Sequence, residues 1–310
     1  MTPSLPGARR AAVISLTAGA LMAVSALASP AQAATAPSIS GKGGFVLNNA
    51  TGATVYSKSA DTRRQMASTT KIMTAAVVVS TKGVDLDRKV TVKQAYRDYV
   101  AKEGASTADL RTGDKVTVRQ LLYATLLPSG CDAAYALADT FGTGSTTAAR
   151  TKSFIAKMNA KAAELKLTNT KFDSFDGISQ AGNNYTTPRD LAKIAQYAMK
   201  WVNFRTPVKA TSYKSTAPTS TGGTRTYTWY NTNKLLGSYS GAIGIKTGTG
   251  TAAGPCLVFA ATRGGKTLVG VVLNGADRYN DAAKLLDYGF GSSTAKTMKL
   301  RSLPADAQRD

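Results

Sequence analysis

The sequence predicts a mixed α/β protein of the α+β kind, in which an antiparallel sheet drawn from both ends of the chain is flanked by helices and receives a mainly helical insertion. Two patterns carry this expectation. Short strand-like apolar runs fall at Gly44–Leu47, Cys256–Ala261 and Thr267–Leu273, whereas apolar residues between about 119 and 204 recur at helical spacing. Between the first strands and the insertion lies Ala67–Val79, a nearly uncharged run with almost no polar face, which reads as a helix enclosed by protein. This partition gives a sheet lobe at 34–84 and 205–291, a mainly helical lobe at 85–204 and a tail at 292–310.

Taken in order, residues 1–33 join Arg9-Arg10, an apolar run from Ala11 to Ala28 and Ala31-Gln32-Ala33. That is the form of a secretory signal, so the mature chain is expected to begin at Ala34 and to work outside the cytoplasmic membrane, free or at the cell wall or outer membrane face. Residues 34–43 are small and polar, a flexible lead. Gly44–Leu47 and Thr54–Tyr56 flank a Gly/Asn turn and form a hairpin. Residues 85–118 show Val-Thr-Val alternation and no long element. Arg119–Leu127 is a helix stopped by Pro128-Ser129-Gly130, and another starts at Asp132 as N-cap, leaving Ser129 and Cys131 on the turn between them. Thr147–Leu165 is amphipathic and helical, and 169–186 is a long loop. Thr187-Pro188-Arg189-Asp190 opens a further helix with a cap, a proline at its first position and an acid in its first turn. From about 205 the character is β, with strands at 224–229 and 243–247, a hairpin at 256–273 and a closing helix from Asp281 to Tyr288.

The chain has 310 residues and a formal net charge of +21; without Arg9 and Arg10, 37 basic and 18 acidic residues remain, a net charge of +19. Such a field attracts polyanions. For an exported protein these are anionic wall polymers or a membrane surface, not nucleic acid. One large domain or two intertwined lobes, and a monomer, are expected. Histidine is absent, which excludes a Ser-His-Asp triad and every His-based metal site, and two cysteines cannot build a thiolate cluster. No metal and no cofactor are expected. Export permits a Cys131–Cys256 disulfide, although their differing contexts argue against it.

One serine and one lysine stand at the entrance of the apolar helix. Ser68 and Lys71 are three apart, so they share a face with Cβ atoms about 5–6 Å apart. Burial favours the neutral form of a lysine, and a neutral amine is a competent base for a serine nucleophile. A solvated first-turn lysine beside an N-cap serine would give the same four letters, and Ser293-Thr294-Ala295-Lys296 also fits them; only the first copy opens an apolar helix.

Ser68-Thr69-Thr70-Lys71, Ser129-Gly130-Cys131 and Lys246-Thr247-Gly248, in that order on a helix start, an inter-helix turn and a strand, resemble the three motifs of the penicillin-binding protein and serine β-lactamase superfamily. The chain from about 40 to 290 looks like a serine D-Ala-D-Ala carboxypeptidase/transpeptidase of the low-molecular-mass penicillin-binding type, and its Ser-Gly-Cys variant resembles secreted Streptomyces DD-transpeptidases. The resemblance implies that Ser68 attacks the carbonyl between two D-alanines of a peptidoglycan stem peptide and that Lys71 takes its proton. It also implies that Ser129 relays a proton to the leaving amine. Lys246 and Thr247 would receive the terminal carboxylate, and backbone N–H groups of Ser68 and Thr249 would form the oxyanion hole beside Gly248. β-Lactams are then covalent inhibitors. Cys131 stands where most of the family has asparagine, which weakens hydrogen bonding to the substrate amide. Two other readings remain: a serine β-lactamase, and an idle wall-binding or β-lactam-sensing protein. Against the first, the only glutamates are Glu103 and Glu164, and neither lies in the Glu-x-x-Leu-Asn loop of class A β-lactamases.

Overall fold

Alternation along the central strands explains why their sequences read as nearly continuous apolar runs. The computed structural model describes residues 35–308, so the export-signal expectation lies outside the described residues. Strand β1 (Gly43–Asn48) turns into β2 (Thr54–Lys58), and the sheet order is β2-β1-β11-β10-β9, antiparallel throughout. In it β9 is Ala242–Gly248, β10 Cys256–Arg263 and β11 Lys266–Leu273. Phe45, Leu47, Val258, Ala260, Val269 and Val271 face one apolar cluster, whereas Val46, Leu257, Phe259, Leu268 and Val272 face another. Both faces are covered, so alternate residues are all buried. Helix α8 (Arg278–Phe290) packs on β10 and β11, and α6 (Pro188–Ala198) packs on β1 and β11.

After β2 the chain makes β3 (Arg64–Gln65), a 3₁₀ turn at Ala67–Thr70 and α1 (Lys71–Val79). All nine residues of α1 are buried. Helices α3 (Val118–Leu126), α4 (Cys131–Phe141), α5 (Thr147–Glu164) and α6 pack around it. With no side-chain cap at its start, α1 is held by this burial, worth about 1.5–3 kcal/mol for each large aliphatic side chain. Capping fixes the neighbouring starts. Thr117 and Gln120 form a reciprocal capping box on α3, and Thr187 Oγ1 accepts from Asp190 N at 3.1 Å on α6, as its sequence predicts.

Several expectations are corrected. Residues 85–118 do contain a helix, α2 (Gln94–Glu103), between the short paired strands β4 (Lys89–Thr91) and β5 (Lys115–Thr117). Helices continue past 205, because α7 is Val202–Lys209. Strands β7 (Ser212–Pro218) and β8 (Thr224–Tyr230) pair only with each other, and the short β6 (Tyr185–Thr186) pairs with β3. The lead before β1 is docked: Ser40 N and Gly41 N donate to Asp281 at 2.9 and 2.8 Å, and Ile39 is buried. Gly130, not Asp132, caps α4; the Asp132 carboxylate instead accepts from Ala108 N and Leu110 N at 2.9 and 3.0 Å, pinning the loop after α2.

Candidate active site

Lys71 is fully buried at the first position of α1, and its Nζ lies 2.9 Å from Ser68 Oγ. The same nitrogen reaches Cys131 Sγ at 3.2 Å, Ser129 Oγ at 3.4 Å and the carbonyl of Asp176 at 3.1 Å. These partners come from a 3₁₀ turn, an inter-helix turn, a helix start and a distant loop, all converging on one amine. None is a carboxylate. The amine is thus held by two hydroxyls, a thiol and a carbonyl, within reach of the Ser68 hydroxyl proton.

Two non-glycine residues beside this amine adopt left-handed backbone. Ala67, preceding Ser68, has φ +47°, and Ser129 has φ +66°. Such conformations cost of order 1 kcal/mol or more and are held by surrounding contacts. Gly177 supplies one: a Cβ there would sit 2.0 Å from the Ala67 carbonyl oxygen. Loop 173–182 can therefore press against the turn that presents Ser68 only because that position is glycine. Asp176 is clamped in turn, accepting from Tyr99 OH at 2.8 Å and Ile178 N at 3.0 Å. Burial first, then the Asp176 carboxylate, pushes the Tyr99 phenol well above its ordinary value.

The opposite wall is strand β9. Gly248 lies against the start of the 3₁₀ turn, where a Cβ would stand 3.0 Å from Ser68 N and Thr69 N. Thr247 Oγ1 meets Thr232 Oγ1 at 2.6 Å, and the buried Lys246 Nζ donates to the Thr247 carbonyl at 3.0 Å. Arg278, at the head of α8, donates to Gly248 O and Thr249 Oγ1, both at 2.9 Å, and to Cys256 O at 3.1 Å, fixing the turn that follows the strand. A cavity of 840 Å³ opens between the walls; Ser68, Ser106, Cys131, Gly177 and Thr249 line it. Lys246, Thr247 and Ser129 stand behind that lining.

Cys131 and Cys256 are both free and buried, so the permitted disulfide does not form. Burial pushes the Cys131 thiol up to about 11 despite the nearby Lys71. It is therefore protonated at neutral pH and is not a thiolate nucleophile. Its contacts are with Lys71 and, at 3.7 Å, with Ser106 Oγ, so it takes part in the polar cluster and is more than an apolar filler. Among the described residues no group of three or more acidic or cysteine side chains could hold a metal ion. Tyr99, Asp176, Gly177 and Arg278 carried no signal in the sequence, because each acts through a contact with backbone or side chains far along the chain.

Residues 30–277 match the family model for peptidase S11, D-alanyl-D-alanine carboxypeptidase. The chain belongs to that family. A Streptomyces D-alanyl-D-alanine carboxypeptidase is 58% identical over 287 residues, covering 91% of this chain and 98% of the relative. One from Bacillus subtilis is 31% identical, covering 80% of this chain and 62% of the relative. The crystal structure of a Streptomyces DD-transpeptidase superposes with a TM-score of 0.82 at 60% identity, covering 83% of this chain and all of the other. A penicillin-binding protein homologue from Mycobacterium tuberculosis gives 0.73 at 30% identity, over 85% and 96% of the two chains. The fold class and the reaction class expected from the sequence are thus borne out: this is an acyl-serine D-Ala-D-Ala carboxypeptidase/transpeptidase.

Proposed function

We propose that this DD-peptidase works on peptidoglycan stem peptides ending in D-Ala-D-Ala through the following assignment of its own residues. Lys71 Nζ takes the Ser68 hydroxyl proton as Ser68 Oγ bonds to the carbonyl carbon between the two D-alanines. The carbonyl π pair moves to oxygen, and the backbone N–H groups of Ser68 and Thr249 receive that oxyanion. Collapse breaks the C–N bond, and the departing D-Ala nitrogen takes the proton back through Ser129. The Ser68 ester is then opened by an amine or by water. Lys246 and Thr247 attract the substrate's terminal carboxylate, and Cys131 stands beside the amide with weaker hydrogen bonding than an asparagine would give. The 2.9 Å contact between a fully buried lysine and Ser68 carries the assignment.

Penicillin would form the corresponding ester and persist. Glu164 supports persistence, since its carboxylate is 61% exposed at the end of α5 and pairs with Lys161. It is far better placed for solvent than for deacylation. The basic charge suits an anionic wall or membrane surface, as does the patch where exposed Trp201 and Val202 lie near Arg205 and Lys209.

The test is intact-protein mass spectrometry after a benzylpenicillin pulse. The wild type should carry one adduct for many minutes, and a folded Ser68→Ala protein should carry none. Labelling of the alanine variant would remove Ser68 from the mechanism, and loss of the wild-type adduct within seconds would favour a β-lactamase.

A further inference from the structure

Among the described residues, Glu103 is the one charged residue lining the 840 Å³ cleft, in a chain whose net charge is +21. It ends helix α2, and Gly104 after it closes the helix in left-handed conformation. A carboxylate there faces the negative end of the helix dipole, where a cation is the stabilising choice. Helix stability therefore does not explain it. The side chain is 13% exposed, and Gln180 Nε2 donates to its Oε2 at 2.7 Å from loop 173–182 on the same helical wall. Its second oxygen is 3.6 Å from Lys102 Nζ, but that side chain is 81% exposed and the pair is screened by water. The carboxylate is thus positioned by a neighbouring loop of its own wall and left without a buried cation. It also adjoins the chemistry: Tyr99, one turn earlier on α2, holds Asp176, whose carbonyl holds Lys71.

We propose that Glu103, oriented by Gln180, is the cleft's receptor for a primary ammonium group on the peptide. This deepens the acyl-serine reading above and rests on it. The ammonium has two possible bearers: a basic side chain on the acyl donor, or the amine that accepts the acyl group in transpeptidation, which passes one proton to Lys71 before its nitrogen bonds to the ester carbon and Ser68 Oγ leaves and takes that proton. In either case a carboxylate in a partly desolvated cleft gives a charge-assisted hydrogen bond that a neutral group cannot replace.

Kinetics with the intact protein distinguish the bearers. In one arm the donor is Nα-acetyl-Lys-D-Ala-D-Ala, with the lysine amine either free or acetylated. In the other, a fixed neutral donor is used while glycylglycine is varied as acceptor against water. Wild type should prefer the ammonium in at least one arm, and Glu103→Gln should reduce that preference about tenfold or more, through KM or the acceptor's half-saturating concentration and not through kcat. Glu103→Asp should keep part of the preference, and Gln180→Leu should weaken it by a smaller factor. Unchanged preference in Glu103→Gln, or an equal loss on charged and neutral partners, overturns the proposal. So does the absence of any preference in wild type. Benzylpenicillin labelling of wild-type Ser68 is followed in parallel: its failure would sink the acyl-serine reading itself, whereas normal labelling with no Glu103-dependent preference sinks only this inference.

Discussion

The two walls of the cleft are built on opposite principles. On the helical side, Lys71, Ser129 and Cys131 come together through turns, two left-handed residues and a loop pressed in at Gly177. On the strand side, Lys246, Thr247 and Gly248 sit in register along β9, opposite Val258, Leu257 and Cys256 of β10. Proton transfer depends on which atoms lie within 3–3.5 Å, and no regular element brings four chain segments to one amine. Binding an extended peptide end needs only a straight edge with fixed spacing. The helical wall is thus assembled from turns and left-handed residues, whereas Lys246, Thr247 and Gly248 occupy consecutive ladder positions.

Substitutions that damage one wall should leave a signature unlike damage to the other. The largest effect is expected from Lys71→Arg, which keeps approximate length but puts a permanently protonated guanidinium where the proposed mechanism needs a free amine; acylation should fall about 10²–10⁴-fold for peptide and penicillin alike, measured by pre-steady-state labelling. Next, Lys246→Ala should cost about 10–100-fold on free-acid substrates and clearly less on matching C-terminal amides, since only a carboxylate uses the ammonium. Equal losses on both would erase the division of labour between the walls. Gly177→Ala should lower stability by about 2–3 kcal/mol in denaturant unfolding, because a Cβ 2.0 Å from the Ala67 oxygen forces the loop away, and the folded fraction should acylate slowly. The smallest effect concerns Asp139 beneath the helical wall. Burial alone would raise its carboxyl, but Lys93, Tyr96 and Arg150 outweigh that and hold it below the ordinary 3.8. The folded state then binds this proton less readily than the unfolded one, so the stabilisation is complete above the unfolded value and fades as pH falls through the folded one. Asp139→Asn should cost about 1–2 kcal/mol at neutral pH, given the exposed Lys93 partner, and progressively less in unfolding curves below about pH 4.

What the sequence disclosed followed the same division. The strand wall was legible, because Cys256–Ala261 and Thr267–Leu273 are largely apolar runs near glycines and Ile243–Thr247 is a short stretch ending at Gly248, and a ladder needs little more. Helix α1 was legible from its missing polar face. Helix α2 was not, since Tyr96 is its one buried residue and its start has no side-chain cap. Asp132 resembled an N-cap because its real partners, Ala108 and Leu110, are backbone groups more than twenty residues away. The supports of the helical wall escaped for a similar reason. Asp176 offers Lys71 a carbonyl, which every residue possesses, and Gly177 matters for the side chain it lacks.

The pairing of Gly43 with Leu273 in β1 and β11 has a consequence for the order in which the protein comes into being. A chain growing from its N-terminus makes Ser68 and Lys71 early, yet the first hairpin has no partner on its inner edge until residues 266–273 arrive, and Gly248 must also come back to lie against the nucleophile's turn. Contacts so distant along the chain close late and slowly. The Ser68 turn therefore gains its strand-wall contact, and the first hairpin its inner neighbour, only after residues 248 and 266–273 have been made.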